Sequence, residues 1–260
     1  FDVTSGSEIR EKDHYSTLAG FQQSLIGCYI SMTDNALYGK ELSWYAIEIL
    51  GHQFNPVTSN SSNSREMQEY EKFNYNHTQI FSDIENIWAK AYSVIANANE
   101  ALTNMEGQES SLNEVYYHVI KGELLAIRAY MHFDLLRIYA PSLLMNPGER
   151  TFIPYVDKYP SYLSDRQTVS YCLQHIIDDL KKAQSILLSV DKSASFSMES
   201  RFIQSYNGES RFLGYRGYRM NYYAVTAELA RVYLYAQKAD EAYAEAKKVI
   251  DVVESKKWFA

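Results

Sequence analysis

Apolar residues recur at three- and four-residue steps through most of this chain, the spacing that lines them along one face of an α-helix. Leu18, Phe21, Leu25 and Cys28/Tyr29 predict a first helix over 15–32. Ile87, Ala91, Ile95, Ala98 and Leu102 form one stripe and predict a helix over 84–105, with Gly107 as its stop. Leu125, Ala129, Phe133 and Leu136 give the core face of a helix over 115–139. Pro141 ends it, because proline has no N–H to continue the ladder. Ser164 and Gln167 have capping-box spacing and open a helix over 166–188. Two further segments, 220–236 and 240–254, close the chain as a helical hairpin. The pattern is all-α: 115–139 pairs with 166–188, 220–236 pairs with 240–254, and 84–105 packs ahead of them.

The stretches between these helices are long. Residues 1–14 are polar and read as extended, and 38–50 is a weaker apolar segment holding Trp44, Tyr45, Ile47 and Ile49. Gly51–Arg65 is rich in Asn and Ser and reads as a surface excursion. The 140–163 connection contains Ile153–Val156 as a short extended piece, and 189–217 is polar with interleaved aromatics. Loops of this length in a compact scaffold carry function more often than packing.

Composition narrows the classes. There are 23 Tyr against 3 Trp and 11 Phe, side chains that combine apolar area with a polar tip. A net charge of −7 with scattered Lys and Arg argues against nucleic acid, which needs clustered cations, and suits a neutral ligand better than a polyanion. No apolar run approaches a membrane span. Cys28 and Cys172 sit on separate predicted helices among apolar neighbours; they are two buried thiols unless the fold brings their Cα atoms within about 7 Å. HExxH, Gly-x-Ser-x-Gly and Gly-rich phosphate loops are absent. The nearest carboxylate pairs, Glu41 with Glu48 and Asp178 with Asp179, are spaced wrongly to flank a glycosidic bond. None of these patterns resembles an active site, a cofactor loop or a metal site.

Two segments carry more specific information. In Arg219–Ile250, Leu229, Ala230, Tyr233 and Ala242 fall at the offsets of a tetratricopeptide repeat, where small residues allow close helix approach. Gly122–Leu144 runs Gly-Glu-x-x-x-x-Arg-Ala-Tyr-x-x-Phe-Asp-Leu-x-Arg-x-Tyr and then Pro141. This run resembles the SusD/RagB family of outer-membrane glycan-binding lipoproteins. Trp88, Tyr92, Ile95, Ala98 and Asn99 match that family's Trp-x-x-x-Tyr helix. Ile153–Val156 resembles the extended segment that follows. Arg166 through Leu187, and Arg219 with Ala224–Tyr235, match the next two helices.

The resemblance implies irregular tetratricopeptide-like helix pairs with long loops across 1–260. It implies a non-enzymatic receptor for oligosaccharide or polysaccharide, held at the extracellular face of the outer membrane by a lipid on a Cys outside this chain. The partner implied is a SusC-like TonB-dependent transporter. Family members are longer, so a C-terminal region is expected to be missing and to cover the apolar end at Trp258 and Phe259. A tetratricopeptide-type protein-interaction scaffold, or a peptide receptor, is the alternative that the repeat signal alone supports.

Arg128, Asp134 and Arg137 read as scaffold, with Asp134 and Arg137 three apart on one helix face. Trp88 and Tyr92 read as packing residues. The candidate ligand contacts are Asn63, Arg65, Tyr70, Phe73 and Tyr75, in the aromatic and polar stretch 54–81 before the Trp88 helix. Sugar rings offer a C–H face to an aromatic ring and hydroxyls to amides and charges, and this stretch supplies both. The second surface is 201–218, with Phe202, Tyr206, Phe212, Tyr215 and Tyr218 beside Arg201, Arg211 and Arg216.

Overall fold

The computed structural model describes residues 11–54, 61–161, 163–191 and 211–256, with the side chains at 62, 63 and 253–256 outside that description. The fold is all-α, with one short two-stranded sheet among the described residues. Contacts divide the chain into two compact units, 26–94 and 1–25 with 95–260.

The larger unit holds helix α1 (Glu11–His14), the start of α2 (Leu18–Met32), the end of α5 (Thr78–Asn104), and α6 (Glu114–Tyr139). Strands β1 (Thr151–Pro154) and β2 (Arg166–Thr168) follow, then α7 (Val169–Asp191), α8 (Tyr222–Tyr235) and α9 (Ala239–Lys256). Helix α6 packs along α7, α7 also touches α8, and α8 pairs with α9. Each of three helices starts on a side-chain cap. Asn113 Oδ1 accepts from Val115 N, Thr168 Oγ1 from Tyr171 N, and Asn221 Oδ1 from Tyr223 N and Ala224 N. Such caps satisfy N–H groups that the helix cannot, at about 1 kcal/mol each. Gly122 sets the closeness of α6 and α7: a Cβ there would lie 2.6 Å from Leu187 Cγ. Leu229, Ala230, Tyr233 and Ala242 are all buried.

The smaller unit contains the end of α2, a run of turns over 33–45, α3 (Ala46–Leu50), α4 (Ser62–Glu71) and the start of α5. Its core is Ala46, Ile49, Tyr70 and Ile80, wrapped by Tyr45, Leu50, Met67 and Ile84.

Several boundaries differ from the sequence pattern. Residues 62–65, expected in a loop, open α4, with Ser61 Oγ accepting from Ser64 N at 3.2 Å. Its sequence, SNSREMQEYE, has only Met67 and Tyr70 as apolar anchors, too few for a period to show. Helix α5 begins at Thr78, six residues before its expected start at 84. Arg166–Thr168 pair with β1 rather than opening α7, so Ser164 and Gln167 form no capping box and Thr168 takes that role. Residues 11–14 form a helical turn rather than extended chain. Both cysteines are buried, and they are not joined in a disulfide. Trp258 and Phe259 lie outside the described residues.

Candidate functional site

Two regions hold unusual chemistry, one buried and one exposed. In the larger unit, Arg128 on α6 forks onto Asp179 on α7, Nε to Oδ2 at 2.7 Å and Nη2 to Oδ1 at 2.8 Å. Its Nη1 donates to Asn99 Oδ1 at 2.9 Å and to Asp157 O at 3.3 Å. Asn99 Nδ2 donates to Val156 O, and Tyr155 OH donates to Asp179 Oδ2 at 2.5 Å. His132, stacked on Tyr155 with centroids 4.1 Å apart, accepts from Val156 N at Nε2. Its Nδ1 therefore carries the proton and donates to Arg128 O at 2.8 Å. Burial pulls the His132 pKa down to about 3, so the ring is neutral. Burial and the adjacent Asp179 push the Tyr155 phenol well above its ordinary value, which keeps it a donor.

A second buried set joins α6 to the start of α8. Arg216 Nε donates to Glu123 Oε1 at 2.9 Å, and its Nη1 and Nη2 fork onto Asp191. Arg219 Nε donates to Glu123 Oε2 at 2.8 Å, and Asp191 Oδ2 also accepts from Tyr222 N. Asn99, Glu123, Arg128, Tyr155, Asp179 and Arg219 come from every block of the sequence signature, and they converge on these two networks. All lie inside the scaffold and serve its packing.

The exposed region is in the smaller unit. Helix α3 stops at Gly51, followed by His52 with φ +51°. His52 N donates to Ile49 O and Gln53 N to Glu48 O. Helix α4 stops at Lys72 in the same way: Phe73 has φ +55°, Phe73 N donates to Tyr70 O, and Asn74 N to Glu69 O. Both are Schellman stops, whose left-handed position usually holds glycine. Here the two positions hold His and Phe, at a cost of about 1 kcal/mol or more each. Their rings meet with centroids 5.4 Å apart, and His52 Nε2 lies 3.2 Å from Glu71 O. Beside them a pocket of about 340 Å³ is lined by Ile49, His52, Phe54 and Glu71. Phe54, Phe73 and Tyr75 are each about half exposed. A pocket of this size, with two aromatic rings in its lining, falls in the range of small-ligand sites.

The expected contacts divide. Phe73 and Tyr75 stand on this exposed surface. Arg65 is exposed on α4, six residues before Glu71. Asn63's side chain lies outside the described residues. Tyr70 leaves the set: it is fully buried, and its OH donates to Asp83 Oδ2 at 2.8 Å, so no face is open to a ligand. His52, Phe54 and Glu71 were not singled out in the sequence; the signal available was aromatic residues on both sides of an Asn/Ser-rich stretch.

The second surface changes more. Arg216 is completely buried in its ion pairs, and Phe212 packs against the Val119, Val190 and Leu213 cluster under the Arg219 guanidinium. Tyr215 and Tyr218 are exposed, while Arg201, Phe202 and Tyr206 lie outside the described residues. Trp88 and Tyr92 are half-buried with rings 4.9 Å apart, and Arg137 Nη1 donates to Asp134 at 2.8 Å.

Among the described residues no helix is long and apolar enough to cross a membrane, and no His, Cys, Asp and Glu cluster has metal-binding geometry.

Comparison with known proteins bears on the fold and the family. No curated protein matches the chain significantly. A SusD-like carbohydrate binding protein from Bacteroides vulgatus superposes with a TM-score of 0.68 at 17% identity, covering 90% of this chain and 45% of that one. A SusD superfamily protein from the same organism gives 0.67 at 20%, covering 94% and 49%. Another from Bacteroides thetaiotaomicron gives 0.64 at 23%, covering 90% and 46%. This chain thus spans about half the length of the structures it matches. The SusD-like family model described as "Starch-binding associating with outer membrane" matches residues 2–205, and on that match the chain belongs to the SusD-like family.

Proposed function

We propose that this chain is the helical, ligand-contacting part of a non-enzymatic glycan receptor at the extracellular face of the outer membrane. The receptor is lipid-anchored through a Cys outside this chain and delivers oligosaccharide to a SusC-like TonB-dependent transporter. Family membership supports carbohydrate binding and outer-membrane association. The observation that carries the site is the His52–Phe73 ring pair beside the pocket of Ile49, Phe54 and Glu71. Aromatic faces held by helix stops meet the C–H face of a sugar without losing side-chain freedom on binding, while Glu71 and neighbouring amides receive its hydroxyls.

A glycan array and affinity-gel screen of the chain tests this. Retention by at least one polysaccharide, lost in Phe73→Ala and Phe54→Ala, supports the reading. Capture of a protein partner with no sugar dependence supports the interaction-scaffold alternative instead, for which the α8–α9 pair offers exposed Leu234, Tyr243 and Ile250.

A further inference from the structure

Three carboxylates surround Tyr45 and Tyr70 in the smaller unit, and the hydrogen-bond donors there are unevenly shared. Glu41, in the turns that lead into α3, is 4% exposed, and Asp83 on α5 is buried as well. Tyr45 OH donates to Glu66 Oε1 on α4 at 2.8 Å. Tyr70 OH donates to Asp83 Oδ2 at 2.8 Å, and Gln79 Nε2 donates to Asp83 Oδ1 at 2.8 Å. Burial, together with the carboxylate that each hydroxyl faces, pushes both phenols above their ordinary value, so both stay donors. Lys40 Nζ is divided between Glu41 Oε1 at 2.8 Å and the face of the Tyr45 ring, 3.8 Å from its centroid. Glu41 Oε2 is left over. It is buried, and among the described residues no hydrogen-bond donor reaches it.

A carboxylate oxygen that is neither solvated nor bonded costs far more on an anion than on the neutral acid. Desolvation accordingly raises the Glu41 pKa above its ordinary 4.5; Lys40 opposes the rise, and the charges of Asp83 and Glu66 add to it. The Lys40 side chain is 30% exposed, so water serves its ammonium whether or not Glu41 is charged. The groups acting on Glu41 come from every element around it: Lys40 and Tyr45 from the turns, Glu66 and Tyr70 from α4, Asp83 from α5.

We propose that Glu41 is an acid-set lock: the smaller unit packs around its protonated carboxyl and loosens when that proton leaves. The lock acts on α3, because Ile47 N donates to Glu41 O at 3.1 Å and Ile49 belongs to both the core and the pocket wall. The proposal stands whatever ligand that pocket takes. The unfolded chain releases the Glu41 proton near pH 4.5, and the folded chain holds it to a higher pH. The stabilisation is therefore complete below about pH 4.5 and is lost as pH rises through the folded value. His132, in the larger unit, has the opposite dependence, so the readout must be local to the smaller unit.

The test is hydrogen exchange of the 41–50 amides in wild type and Glu41→Gln, from about pH 4.5 to about pH 8, with intrinsic rates corrected for pH. Glutamine has the shape of the protonated acid and carries no charge. The expected wild-type opening equilibrium grows about tenfold or more across this range, while that of Glu41→Gln stays flat. If Glu41→Gln does not fold, Cδ carbon resonance of wild type labelled in glutamate, assigned with Glu41→Asp, reads the titration directly. Its expected midpoint lies above the ordinary carboxylate value.

An opening equilibrium that rises equally in both chains would overturn the role of Glu41. A Glu41 midpoint at or below about 4.5 would overturn the lock, because the anion would then be the form that the fold holds. So would a Glu41→Gln chain that opens more readily than wild type even at about pH 8.

Discussion

The Arg128 network and the Phe73 surface both hold aromatic rings next to charged groups, and they handle them in opposite ways. Around Arg128, the ring of Tyr155 is buried between His132 and Asp179, and its hydroxyl ends in a hydrogen bond. Around Phe73, the rings are half exposed, and the backbone beneath them sits in a region that glycine would occupy more easily. Buried polar groups are stable only when their hydrogen bonds are complete, so the first arrangement is an optimised scaffold. Strain kept under exposed aromatic side chains gives the scaffold nothing and is the pattern expected of a binding surface. The motif-rich residues build the frame, and the proposed ligand contacts lie among exposed aromatic residues outside it.

This contrast can be broken at either end. The largest effect is expected at the fork: Arg128→Ala leaves Asp179 buried without its cation and should cost about 3–5 kcal/mol, read by chemical denaturation. Arg128→Lys should recover only part of that, because an ammonium cannot span both Asp179 oxygens.

The next effect is in acid. His132 stays neutral in the folded chain down to about pH 3, while the unfolded chain takes up its proton near pH 6.5. Stability contributed by the neutral ring is therefore intact above about pH 6.5, falls as pH drops toward 3, and is fully lost below that; the total is on the order of 5 kcal/mol. Denaturation at several pH values should give that slope, reduced by up to one proton in His132→Asn.

On the exposed side, Phe54→Ala and Phe73→Ala should each weaken glycan binding about tenfold or more, about 1.4 kcal/mol, by affinity gel. Their melting temperatures should stay close to wild type. Tyr70→Phe is the internal control: it removes the hydroxyl from Asp83, costs about 1 kcal/mol of stability, and leaves glycan affinity unchanged. The smallest and most discriminating difference is between two substitutions at one position. Phe73→Gly should be about 1 kcal/mol more stable than Phe73→Ala, because only glycine relieves the positive φ, while both lose binding equally.

Tyr70 and Phe73 also show where the sequence stops being readable. They are three residues apart with similar chemistry, yet one is in the core and the other faces solvent. Tyr70 lies on the last turn of α4, facing Ile49 and Ile80, whereas Phe73 follows the helix stop. Telling them apart required knowing that α4 exists, and a helix with two apolar anchors has no visible period. The long helices α5, α6 and α7 were legible because their apolar stripes repeat over several turns. The His52–Phe73 contact was not: it joins positions 21 apart through two left-handed residues where glycine is the usual choice, and Gly51 sits one place too early to announce the stop. The signature blocks, by contrast, were legible as family pattern, and the fold shows what they are for: Asn99, Arg128, Tyr155 and Asp179 are mutual hydrogen-bond partners.

The most direct measurement is a paired titration of His52→Ala, Phe54→Ala, Phe73→Ala and Tyr75→Ala against the polysaccharide that the wild-type chain binds best, with thermal unfolding of each variant alongside. The account predicts that His52, Phe54 and Phe73 variants lose about tenfold or more in affinity while their melting temperatures stay near wild type. Unchanged affinity in all four folded variants would contradict it and would move the ligand to another face of the chain.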